Sequence, residues 1–330
     1  MPFFDALSQY DIQADEFLIF PALFGTGAFF LLAFLCGGLP ALRAESTYLR
    51  QNKAFYDKYA LQFSQALLLA GLAALLFLLL NAALFLPRCP DPPSLCDIFN
   101  PRRLKFFVPA LLCILSPALS LLYTGTWPAL RRQRAIHLLI GLSALLTGLL
   151  LFCLLTLLFL FIQHPYISLL LDENPGAALP AMLEEFAGNA ILWPPVLYLF
   201  FTGLAAASAL VRLWLILRRN RADYGRDYYA FAARASARSA LIFTIAATVA
   251  GALLFSSLSA STAPEFRQTP EAGILLAACA LPILGCLLHL AGVLAANPMR
   301  RKAGAFGACL LQLTAFCTQL TLFINTYPAA

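Results

Sequence analysis

Eight long apolar stretches, at 17–42, 60–87, 105–130, 135–162, 188–216, 233–256, 272–296 and 303–326, alternate with polar connections along the chain. Crossing the ~30 Å hydrocarbon layer takes about 20 mostly apolar residues, so each stretch is long enough to span it. None alternates polar and apolar residues as a barrel strand does, and the run Leu67–Leu80 is far too long for one. Backbone polar groups in lipid are satisfied within their own segment only by a helix. The pattern predicts an all-α polytopic membrane protein with eight transmembrane helices.

Composition agrees: 61% of the residues are hydrophobic, 12% are charged and the mean hydropathy is +0.81. A water-surrounded globule runs nearer half apolar and about a quarter charged, and is excluded. A net charge of +6 would invite nucleic acid as a partner. The basic residues are instead divided among four connections: Arg43 to Lys58, Arg131 to Arg134, Arg212 to Arg238 and Arg300 to Lys302. On the other side stand Arg88, Arg102, Arg103, Lys105 and Arg267, together with most of the acidic residues. The positive-inside rule then expects a bacterial inner-membrane protein with both termini outside, the bilayer as its partner and no nucleic acid. Asp5, Asp11, Asp15 and Glu16 precede the first span where a signal peptide would carry basic residues, so no cleaved leader is expected there.

The connections suggest duplication. Arg50-Gln-Asn-Lys-Ala54 and Tyr56 to Ser64 lead into the second span; Arg218-Arg-Asn-Arg-Ala222 and Tyr228 to Ser236 lead into the sixth. Phe20-Pro21 is echoed by Trp193-Pro194. These matches predict two parallel four-helix repeats, at 1–165 and 166–330. Lys53 with Asp57, and Arg219 with Asp223, have the i, i+4 spacing of helical ion pairs.

Candidate chemistry is sparse. Cys89 and Cys96, in the Pro-rich outer loop, read as a short-loop disulfide on an oxidising face, with two unpaired thiols as the alternative. The other cysteines lie in spans and read as small packing residues. The histidines are His137, His164 and His289, and no two sit at matching depth for a bis-histidine haem; a His/Met site would need Met182 or Met299. The middle of the spans carries no Asp, Glu, Lys or Arg, which argues against transport through a charged site. Deep polar residues more often join helices than bind substrate. Even so, His289 with Gln312 or Gln319 would hold a quinone carbonyl, and Glu16 at the start of the first span is a second candidate.

The segment Phe17-Leu-Ile-Phe-Pro-Ala-Leu-Phe-Gly25, followed by the Tyr56–Ser64 block, resembles the first helix pair of cytochrome bd-type quinol oxidase subunit I. Leu217 to Tyr224 through Phe231 to Ser239 is similar to a later pair of that family. The resemblance implies a four-plus-four scaffold, but not the haems. Glu16 stands where a ligand histidine is expected, and Asn189–Pro195 holds none. The expected function is thus a membrane subunit of a respiratory, quinone-linked electron-transfer complex. It would have no haem or other cofactor of its own, a quinone as ligand and further subunits as partners. The alternative is a small-molecule or lipid transporter, with Pro21, Pro109, Pro117, Pro194, Pro195 and Pro282 breaking helices near its site.

Overall fold

In the computed structural model, residues 16–85, 104–130, 132–161, 184, 193–220, 224–261 and 270–326 are described. They form nine helices and, among the described residues, no strand: α1 (Glu16–Cys36), α2 (Gly38–Gln51), α3 (Ala54–Phe85), α4 (Leu104–Gly125), α5 (Arg134–Phe161), α6 (Trp193–Arg218), α7 (Arg226–Ser261), α8 (Pro270–Leu294) and α9 (Lys302–Thr326). With α1 and α2 stacked into one crossing, eight helical segments are long and apolar enough to cross a membrane. The chain is a multi-pass membrane protein by architecture. Cys89 and Cys96, and the expected boundary near residue 165, lie outside the described residues.

The helices close two four-membered rings. In one, α1/α2 packs on α3, α3 on α4, α4 on α5, and α5 returns to α1/α2; in the other, α6, α7, α8 and α9 close in the same order. The rings meet where α6 lies against α1 and α3, and α1 also touches α9. All connections described between consecutive crossings lie at one end of the bundle, which carries Arg50, Lys53, Arg132, Arg134, Arg218, Arg219, Arg300, Arg301 and Lys302 and is called here the basic end.

Small residues decide which surfaces meet. Ala, Gly and Ser fill the interior (Ala33, Ala60, Ala207, Ser208, Ala232, Ala240), while Leu72, Leu76, Leu139, Leu150, Leu287 and Leu310 face outward. This inversion suits lipid, which rewards close backbone approach over burial of large apolar groups. α6 is the most buried crossing. A Cβ on Gly203 would stand 2.7 Å from Leu32 O and 2.9 Å from Cys36 Sγ, and one on Gly37 would stand 2.8 Å from Ala207 Cβ. Both glycines are therefore required by the α1–α6 approach. Gly37 also interrupts the first crossing, and Asn52, at φ 52°, ends α2 with its N–H on Tyr48 O at 2.7 Å.

At the basic end, polar and aromatic pins join the rings. Tyr228 OH donates to Gln62 Oε1 at 2.9 Å and Arg218 Nη1 to Gln65 Oε1 at 2.6 Å. Phe231 packs edge-on to Tyr56, with ring centroids 5.1 Å apart. The two sequence blocks that echo one another thus lie against each other.

Three expectations change. α4 runs through Pro109 and Pro117, and α8 through Pro282, so these prolines do not break their helices. Asp57 pairs with Arg134 of another crossing at 2.8 Å, and the expected partner of Arg219, Asp223, lies outside the described residues. Glu45 and Arg212, assigned from sequence to the connections, are carried into the interior by α2 and α6 and are buried. Gly203→Leu is expected to lose about 1–3 kcal/mol through overpacking, whereas Gly304→Ala, where the added Cβ meets nothing within 4 Å, is expected to keep wild-type stability. Thermal unfolding in detergent checks the pair.

Candidate functional site

Each ring holds a buried polar cluster, and the two differ in whether a carboxylate faces the guanidinium. In the first ring, Glu45 Oε1 lies 2.6 Å from His137 Nδ1, and Tyr123 OH donates to Glu45 Oε2 at 2.7 Å. His137 Nε2 is 2.9 Å from Tyr123 O. A carbonyl only accepts, so Nε2 carries a proton and the Glu45–His137 contact shares another. Trp127 and Tyr123 pack on the imidazole, with centroids 4.5 and 4.6 Å away. Arg134 spans Asp57 and Glu45, at 2.8 and 3.9 Å, with its guanidinium over Trp127. Both oxygens of the buried carboxylate have partners, and the cluster reads as a clamp closing the basic end.

The second ring takes one residue from each of its four helices: Arg212 from α6, Thr244 from α7, His289 from α8 and Gln312 from α9. All four are buried. Arg212 Nη1 lies 3.4 Å from His289 Nδ1, and Gln312 Nε2 is 3.2 Å from His289 Nε2 and 2.5 Å from Thr244 Oγ1. Thr244 in turn donates to Ala240 O at 2.6 Å. The guanidinium lies flat on α8, where a Cβ on Gly292 would come within 2.3 Å of Nη2.

Here donors outnumber acceptors. A neutral imidazole offers one acceptor nitrogen, yet both nitrogens of His289 face N–H groups. Turning the Gln312 amide end over resolves that conflict, with Nε2–H of His289 donating to Oε1, but leaves the amide donors to be satisfied elsewhere. Arg212 Nε and Nη2 and Gln312 Oε1 have no hydrogen-bond partner. A buried charge without a partner is costly in so dry an interior. The two Arg212 N–H groups are complementary to a hydrogen-bond acceptor, and the open end of the Gln312 amide joins them as a donor only when that amide is turned over.

Gln319 sits two turns beyond Gln312 on α9, about 10 Å along the axis at 1.5 Å per residue. It accepts from Tyr198 OH and donates to Cys279 Sγ at 3.4 Å. Between the two levels lies a cavity of about 30 Å³, lined by Tyr198, Thr244, Cys279, Gln312, Phe316 and Gln319 among others. That is room for about one water.

Of the residues chosen from sequence, His289 and Gln312 are brought into contact and Gln319 borders the same cavity. Glu16 opens α1, and its side chain lies outside the described residues. Arg212 and Thr244 were missed. The signal for Arg212 was its place in the apolar run Val211–Leu217, ahead of the half-buried Arg218 and the exposed Arg219. Among the described residues, no group of three His, Cys, Asp or Glu could hold a metal ion. The chain matches no protein-family model, and no curated protein or solved structure is detectably similar to it.

The two clusters should answer substitution in opposite directions. Glu45→Ala strands His137 and is expected to lose about 3–5 kcal/mol; Arg212→Met removes an uncompensated charge and is expected to gain about 1–4 kcal/mol. Unfolding of the purified variants in mixed micelles measures both, and a destabilised Arg212→Met would mean that the guanidinium is satisfied within the fold.

Proposed function

We propose that this chain is the membrane subunit of a quinone-linked electron-transfer complex in a bacterial inner membrane, and that Arg212, His289 and Gln312 bind the quinone carbonyl. The observation that carries the reading is the donor excess of this buried cluster at membrane depth. A quinone offers carbonyl acceptors on an apolar ring, and its reduced forms gain negative charge beside the guanidinium. Both nitrogens of His137 and of His289 already face polar partners, which suits hydrogen-bonding roles better than iron ligation. Electrons would pass to and from redox groups on partner subunits. We read the two rings as copies of one four-helix unit, supported by the adjoining Arg50–Ser64 and Arg218–Ser236 blocks.

Two measurements test this reading. Chain purified from native membranes is expected to bring stoichiometric quinone and partner subunits with it. His289→Ala and Gln312→Ala are each expected to weaken quinone binding about tenfold, the value of one buried hydrogen bond to a polar ligand. Recovery as a lone polypeptide without quinone, or unchanged affinity in both variants, overturns the assignment. For orientation, with both termini outside, reporter fusions in the connections at 126–133 and 295–301 are expected to report the cytoplasm.

A further inference from the structure

The first ring buries a carboxylate and an imidazole against each other: Glu45 and His137 are both 0% exposed and share one proton across 2.6 Å. Ionisable chains inside membrane proteins are costly to keep, and they characteristically mark ion and proton pathways. The titratable and charged groups about the pair are Tyr48 of α2, Asp57 of α3, Tyr123 of α4 and Arg134 of α5. Tyr123 OH donates to Glu45 Oε2 at 2.7 Å. Arg134 stands between Glu45 and Asp57, at 3.9 and 2.8 Å, with its guanidinium over the Tyr48 ring. Arg134 and Asp57, with side chains 10% and 16% exposed, form the mouth towards the basic end. On the inner side, Tyr123 also lines a chamber of about 30 Å³ with Ser64, Ser116, Ser120 and Thr124, room for about one water. Ser64 and Thr124 give their hydroxyl hydrogens to Leu61 O and Ser120 O, which leaves oxygen lone pairs for that water. Ser116 lies nine residues before Gly125, the end of α4, so the polar groups reach about 14 Å inward, under half of the hydrocarbon layer.

We infer that Glu45 and His137 form a proton-exchange site between water at the basic end and the serine-lined chamber, with Tyr123 as the relay and Arg134 as the counter-charge. The site lies in the other ring from the quinone cluster and does not rest on that reading. When the shared proton leaves for water at the mouth, His137 is left neutral, with Nε2–H still on Tyr123 O at 2.9 Å. Glu45 is left as a carboxylate that keeps the Tyr123 hydrogen bond and faces the Arg134 charge, so the emptied state is held within the fold. The proton is restored from the chamber side: Tyr123 gives its phenol hydrogen to Glu45 Oε2 and takes one from the chamber water. The proton then settles between Oε1 and Nδ1. Only O–H and N–H bonds form and break, no electrons move, and the same steps in reverse carry a proton inward. A static clamp accounts for the pair and its partners, but not for the hydroxyl-lined chamber behind Tyr123.

The test uses the full chain in phosphatidylcholine vesicles, with its histidines labelled by heavy nitrogen and followed by solid-state NMR as the medium is made alkaline. The His137 signal is the one that Glu45→Gln shifts. In the wild type its Nδ1 is expected to pass reversibly from proton-bearing to bare while the fold persists. Glu45→Gln can still accept from Tyr123 and donate to Nδ1, so it is expected to fold and to show a bare Nδ1 throughout. Arg134→Gln, without the counter-charge, and Tyr123→Phe, without the donor on Oε2, are each expected to move the response to a more alkaline medium. Radiolytic hydroxyl labelling, which marks side chains beside ordered water, is expected on residues 116–124 and is expected to be lost in Ser116→Leu, which fills the chamber. An Nδ1 that stays proton-bearing wherever the wild type is folded is a static clamp and overturns the inference. A chamber without label, or a response unmoved in both Arg134→Gln and Tyr123→Phe, overturns it as well.

Discussion

Lipid offers no hydrogen bonds, so a polar atom carried into the interior of this chain has to find its partner on another of the chain's own helices. The two rings meet that constraint differently. Glu45 is met on both oxygens, by His137 and Tyr123, and Arg134 shields it from the basic end. Arg212 lies at comparable burial with one long contact to His289 and, among the described residues, no ion pair to a carboxylate. The first arrangement locks helices α2, α4 and α5 together. The second holds a charge in place without answering it within the fold.

Close packing makes these contacts possible. Gly203 and Gly37 let α1 and α6 approach until Cβ atoms would collide, and the alanines of α6 let α7 follow. With α6 at the centre, Arg212 has no route to water and comes within reach of α8 across the ring. Gly292 completes the geometry by leaving the guanidinium a flat place on α8. One substitution at a packing glycine would therefore displace a polar site several turns away, through the helix that carries both.

Depth along α9 orders the site. Gln312 and Gln319 point into the same narrow cavity from two levels, and Phe316 stands between them in sequence and on the wall towards the apolar space. The small polar cavity and the apolar space are thereby separated by one aromatic side chain. The first ring has a chamber of similar size, lined by Ser64, Ser116, Ser120 and Tyr123 among others, but its ionisable neighbours are already paired. Arg134 in the first ring also leaves nitrogens without a hydrogen bond but faces Asp57 and Glu45, so it is the carboxylate beside the guanidinium that distinguishes the two interiors.

The alternation of apolar stretches and basic connections determined the number of crossings, their helical form and the end at which positive charge gathers, because lipid imposes those requirements on every segment separately. It also singled out His289, Gln312 and Gln319, since polar side chains far from any connection stand out in so apolar a chain. What it left open is which residues meet. Glu45 and Arg212 read as loop charges because each lies within a few residues of exposed arginines, and only the extension of α2 and the centrality of α6 bury them. Likewise Asp57 could pair with a neighbour four residues away, yet the clamp at the basic end brings it Arg134 from another crossing. Pairing, burial and the shortage of acceptors around Arg212 are properties of helices packed side by side, and no single stretch of sequence contains them.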